Sequence, residues 1–172
     1  HDMGAGFVVF HAGFYLGRDK KVVYQKIRSE INMLMDVIKK NGWDVQLAPE
    51  TTGKQTQFGD LDELLRLKQD TGCHLTVDFA HLLARGNGTL DLDDVFRKLT
   101  GIGHIHAHFS GIEWTLKGER RHLPTQDSDI IAILRKAIEY GVDMTLINES
   151  PEMIDDSLRA LAILKEMTGP LG

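Results

Sequence analysis

The chain has 172 residues, 42% of them hydrophobic and 26% charged, with a formal net charge of −5 at pH 7. That length fits one domain, or part of a larger one, and the acidic balance argues against broad, non-specific binding to nucleic acid while leaving room for a local basic patch. No window approaches the roughly 20 consecutive apolar residues of a membrane span, no secretory signal pattern opens the chain, and the lone cysteine, Cys73, suits a reducing, cytoplasmic setting.

In chain order, "GFVVFH" (6–11) reads as a strand. From Lys20 to Lys40 the apolar residues Val23, Ile27, Ile31, Leu34 and Ile38 recur at helical spacing, and Asn41-Gly42 ends the helix. "WDVQLAPE" (43–50) is the next strand, and Leu61–Gln69 a helix capped by Asp60 and stopped by Gly72. "CHLTVDFA" (73–80) is a third strand, and Asp91–Leu99 a helix that stops before Gly101. "HIHAHFSG" (104–111) is a fourth strand, Asp127–Tyr140 a helix stopped by Gly141, and "DMTLINES" (143–150) a fifth strand. Pro151 suits the first position of a last helix that runs to about Met167. Strict alternation of strand and helix predicts an α/β fold with a parallel sheet covered by helices. No glycine-rich phosphate loop follows any strand, which favours a (β/α) TIM-barrel type over a nucleotide-binding open sheet. The expectation is a single domain over residues 1–172, a partial barrel of about five βα units.

Each strand delivers a candidate ligand at its C-terminal end: His11, Glu50, Asp78 with His81 just beyond, a histidine of the set His104, His106 and His108, and Glu149. In a barrel those ends meet at one mouth, where active sites lie. Any one of these residues alone is better read as a helix cap or a satisfied core histidine; five at equivalent positions are not. Imidazoles and carboxylates without thiolates suit zinc, manganese or iron. There are more ligands than one ion needs, and a polynuclear site suits phosphoryl displacement.

These segments resemble the motifs of the endonuclease IV family of xylose-isomerase-like barrels, in order and over nearly the whole chain, and look closer to an archaeal branch than to the best-known bacterial members. "VVFHAGFYLG" resembles its strand ending in histidine, "LAPETTGKQTQFG" its glutamate motif, "LTVDFAHLLARG" its Asp-x-x-His motif, "HIHAHFSG" its fourth-strand histidine motif with His106 at the ligand position, and "LINES" its closing glutamate. The resemblance implies two or three zinc ions, with manganese an alternative. His11 and Glu50 would hold one; Glu50, bridging, with Asp78, His106 and Glu149 would hold the second; His81 would hold the third with residues after the fourth strand. The implied reaction is hydrolysis of the phosphodiester 5′ to an abasic site in DNA, with Glu50 and Glu149 as the catalytic carboxylates. Where the family has Asp-Arg-His, this chain reads "GERRH" (118–122), so Glu119 takes the aspartate's place and the histidine falls at His122 or is replaced by Arg121. On that reading two ions at most are well held, and Arg120 or Arg121 faces the third position.

Lys54, Gln57, Arg120 and Arg121 are the candidate phosphate and substrate contacts, beside the aromatic residues Phe14, Tyr15 and Trp114. The opening "HDMGAG" reads as a helix tail with its glycine stop, and five strands fall short of a barrel's eight. The expectation is a chain lacking the family's first three strands, weakly active alone, with open edges that pair with a further copy or with the missing N-terminal segment. The expected partner is abasic-site DNA, with no membrane. The rival reading is a sugar isomerase or epimerase on the same barrel with a single divalent metal; a third is a binding protein that keeps the metal site without catalysis.

Overall fold

A computed structural model describes residues 1–169. The elements run β1 (Phe7–Phe10), α1 (Lys20–Asn41), β2 (Gln46–Pro49), α2 (Leu61–Thr71), β3 (Thr76–Asp78), α3 (Phe79–Arg85), α4 (Leu92–Leu99), β4 (Ile105–Phe109), β5 (Gly111–Thr115), β6 (Gly118–Leu123), α5 (Asp127–Tyr140), β7 (Met144–Asn148) and α6 (Met153–Thr168). The five expected strands are all present and parallel. β1 pairs with β2, β3 with β4, and β4 with β7. A single bridge, Glu50 to Thr76, joins β2 to β3, supported by backbone bonds from Thr51 to Thr76 and from His74 to Leu47. The lateral order is therefore sequential, as in a barrel wall, but β1 and β7 do not pair with each other and the wall stays open.

Local chemistry sets the helix ends. Asp19 caps α1 by accepting from the Lys21 and Val22 amides, and Gly42, at φ 64°, lets the chain turn back onto the carbonyls of Ile38 and Lys39. Asp60 and Glu63 form a reciprocal capping box on α2. The α1 and α2 layers are tied where the Tyr24 hydroxyl donates to Asp70 at 2.8 Å. The core lies between the sheet and these helices. In β4, Ile105, Ala107 and Phe109 enter it, so strand alternation turns the histidines to the opposite, concave face. Phe96 of α4 is fully buried and stacks on Phe79 of α3 at 5.4 Å.

Three features differ from the expected layout. A short helix, α3, follows Asp78 directly, because Asp78 caps it by accepting from the His81 amide. The segment after β4 is an antiparallel hairpin, β5–β6, rather than a loop. The last helix starts at Met153, with Pro151 ahead of it and Glu152 at the cap position.

Candidate metal centre

The C-terminal ends of the parallel strands converge as expected. Glu50, just past β2, is buried, and its Oε1 lies 3.0 Å from His108 Nδ1, which hydrogen-bonds to it. Its Oε2 lies 3.4 Å from His11 Nε2. Glu149, past β7, lies 3.2 Å from the same His108 nitrogen. Asp78 is fully buried, with Oδ1 spent on the His81 amide at 2.7 Å. Its other oxygen, Oδ2, has no hydrogen-bond partner and sits 4.0 Å from His108 Nδ1. Two groups bring all their ligand atoms within 4.8 Å of one another: Glu50, Asp78, His108 and Glu149, and His11, Glu50 and His81.

The second group is less complete than its distances suggest. His81 approaches Glu50 through Nδ1, at 3.4 Å, but that nitrogen also lies 3.0 Å from the Thr51 carbonyl. A carbonyl only accepts, so Nδ1 carries the proton and cannot ligate. The nitrogen left for a metal is Nε2, which faces Glu119 Oε2 at 3.4 Å. The first group, with three carboxylates around one imidazole, is the better formed.

Electrostatics point the same way. Burial would raise Glu50, but hydrogen bonds from His108, His11 and His81 hold its carboxyl far below the usual range. Burial is also the largest influence on Asp78 and raises it, only partly offset by His81. Burial opposes the charge on His108 and His81, yet Glu149 and Glu50 lift His108 to about 10, and Glu50 and Asp78 lift His81 to about 9. The hydrogen bond to His108 lowers Glu149. The carboxylates thus hold protons on both His108 and His81, and a divalent cation could replace those protons as their counter-charge. The unpartnered Asp78 oxygen and the all-oxygen-and-nitrogen donor set fit such an ion.

The site corrects the expected ligand on β4. His106 lies outside both groups and packs on Phe7 at 5.5 Å and on His108 at 5.3 Å, one layer deeper in the concave face. The residue at the mouth is His108, paired across from Asp78 in register. Alternation identifies the face but not the height at which the strand ends.

The two arginines are also corrected. Neither faces the centre: Arg120 and Arg121 both reach Glu113, at 2.7 and 2.6 Å, on the exposed side of the hairpin. The cause is a β-bulge. Arg121 pairs with Glu113 and Glu119 with Trp114, so Arg120 is the extra residue. Residues three apart on a regular strand point to opposite faces; the bulge shifts the phase, so Glu119 and His122 both turn inward. The His122 ring lies 5.4 Å from that of His81, and Ser110 Oγ lies 2.6 Å from His122 Nδ1. His122 nevertheless stays outside both close groups. Ser110 was not singled out in the sequence; only its place after the histidine strand hinted at it.

Of the other expected contacts, Lys54 Nζ lies 3.9 Å from Glu119 Oε1, at the edge of the site. Gln57 is buried, so its side chain does not stand free for a substrate. Tyr15 is buried and its hydroxyl donates to Glu63, while Phe14 is exposed. Trp114 packs so closely on Gly88 that a Cβ there would come within 2.5 Å of the indole.

The sequence model of the family described as "Xylose isomerase-like TIM barrel" matches residues 1–167. An uncharacterized protein of Methanocaldococcus jannaschii is 36% identical over an alignment 172 positions long, which covers 93% of this chain and 63% of the relative.

Proposed function

The chain belongs to the xylose isomerase-like TIM barrel family, and from that premise we propose that it is a metal-dependent hydrolase acting on the phosphodiester 5′ to abasic sites in DNA. The observation that carries this reading is the pair of ligand groups that share Glu50: His11, Glu50, Asp78, His81, His108 and Glu149 are six side chains, more than the four ligands of one tetrahedral zinc. Zinc bound there would supply hydroxide at neutral pH and polarise the phosphoryl group. Glu50, shared by both groups, fixes them relative to each other. Glu149 is the most open of the four carboxylate and imidazole side chains of the main group, at 36% exposure, which supports a role for it in meeting substrate and taking up a proton. Lys54, 3.9 Å from Glu119, would meet a phosphate.

The chain spans 63% of the length of its relative, and incision by it alone is expected to be weak. Metal analysis by mass spectrometry, combined with an incision assay on a duplex carrying one abasic site, tests the reading. Zinc-dependent incision that Glu50→Gln abolishes would support it; a metal-loaded chain that leaves the duplex intact even at stoichiometric amounts would overturn it.

A second reading, a sugar isomerase or epimerase with one divalent ion, is favoured by two observations. Glu50, Asp78, His108 and Glu149 form a complete set for one ion, and Glu113 holds Arg120 and Arg121 on the exposed side of the hairpin, where they do not face it. One tightly held ion per chain, with proton exchange at a sugar carbon in deuterated water, would select it.

A further inference from the structure

Arg85 ends α3, the helix whose cap is Asp78 and whose first turn holds His81. Its side chain is 11% exposed. One terminal nitrogen donates to the carbonyls of Thr52 (3.3 Å), Lys54 (2.6 Å) and Gln57 (3.1 Å) and to Thr52 Oγ1 (3.0 Å), and the other donates to Gln57 at 3.2 Å. Arg85 thus gathers the carbonyls of the segment that follows Glu50. His81 stands four residues earlier, on the same face of the helix, and takes the Thr51 carbonyl of that segment. Thr51 completes the seam: its Oγ1 accepts from the Asp78 amide at 2.8 Å. Further along, the Gly53 amide donates to Glu119 Oε2 at 3.1 Å, and Gly53 returns its carbonyl to the Glu119 amide.

We propose that Arg85 is a positioning residue of the metal centre, clamping the Thr51–Gln57 segment to α3 so that Glu50, Asp78 and His81 keep their mutual geometry and His81 presents Nε2. The inference rests on the metal-binding reading of the site, but not on which reaction it runs. Arginine suits the task because its planar fork carries five donors, enough for several carbonyls at once. A lysine ends one bond short of the terminal guanidinium nitrogens, so its ammonium falls short of the point where these carbonyls meet. Groups that orient metal ligands in this way are worth about 10–100-fold in metal affinity.

The test uses Arg85→Lys and Arg85→Gln in the full chain. In the metal-free protein, proton NMR should show a slowly exchanging, downfield His81 Nδ1 proton, held by the Thr51 carbonyl, that both variants lose. Titration with zinc or manganese alone should show affinity falling roughly 10–100-fold while cooperative melting is kept. Folded variants that retain the proton and the wild-type affinity would overturn the proposal. So would the failure of both variants to fold, which would make Arg85 a residue of the fold rather than of the centre. A wild-type chain that binds no metal overturns the functional reading instead, and the His81 proton still decides the role of Arg85.

Discussion

At the scale of single residues, two histidines on one strand face separate ligand from scaffold. His108→Ala should remove metal binding, whereas His106→Ala, outside both ligand groups, should leave stoichiometry intact; inductively coupled plasma analysis of the dialysed proteins checks both. Proton balance gives a second prediction. His108 and His81, raised to about 10 and about 9, are protonated at pH 7, and a ligating nitrogen must shed its proton. Metal binding at pH 7 should therefore release protons, and affinity should rise as pH climbs toward 9. Calorimetry in buffers of different ionisation enthalpy measures the release; a buffer-independent heat would contradict it. The period-2 pattern of β4 told which face the histidines share, and the carboxylates Glu50, Asp78 and Glu149 were legible because each closes an apolar run. The choice between His106 and His108 was not legible, since it depends on the parallel register that pairs Asp78 with His108.

At the scale of elements, the hairpin and the last two helices carry the consequences. Since Arg120 is the extra residue of the bulge, deleting it leaves Glu119 and His122 two positions apart on a regular strand, still on one face. The deletion variant should melt close to the wild type, whereas deletion of Glu119 should unseat the hairpin from Gly53. At the far side, Asp156 of α6 is completely buried, accepts from the Thr125 amide at 2.7 Å and binds Arg159 at 2.6 Å. Burial would raise its carboxyl, but these bonds hold it down at about 2. The unfolded value is about 3.9, so this group adds stability that is full above that value and disappears as pH falls through about 2. Asp156→Ala should cost about 1–3 kcal/mol at neutral pH by leaving the buried Thr125 amide unsatisfied, while Arg159 keeps Asp127 and the Thr125 carbonyl; denaturant melts at pH 7 and pH 2 should show the gap closing in acid. In the core, Phe96→Ala should cost about 3–5 kcal/mol. The main helices were readable from apolar spacing and glycine stops. The helix α3 and the hairpin were not, because one is short and capped by a residue already read as a ligand, and the other has strands of mixed polarity whose register depends on a bulge.

At the scale of the whole molecule, the sheet has two free edges. β1 pairs only with β2 and β7 only with β4 among the described residues. The outer surface near β7 is apolar: Met153, Ile154 and Leu158 of α6 are each at least 60% exposed. A cleft of about 690 Å³ between β7, α5 and α6 is lined by residues such as Leu134, Leu146 and Leu164. Unpaired edges beside an apolar face favour association. The chain is expected to run in light scattering as a dimer or larger species, or with a bound partner; a stable monomer at all concentrations would contradict this. None of its described helices is long and apolar enough to cross a membrane. Sequential βα alternation made the wall readable, because each unit is a local pattern. The open wall was readable too, since five strands fall short of the eight that close a barrel.

The convergence of Glu50 and His108, 58 residues apart in the chain, also has a kinetic meaning. Contacts that close such long loops form late in folding, after the locally stitched helices. The ligand set is therefore expected to form after the folding nucleus, so that an ion requiring it stabilises only the finished state. Adding zinc should lower the unfolding limb of a denaturant chevron while leaving the refolding limb in place, so the ion would set how long the native chain survives rather than how fast it is reached.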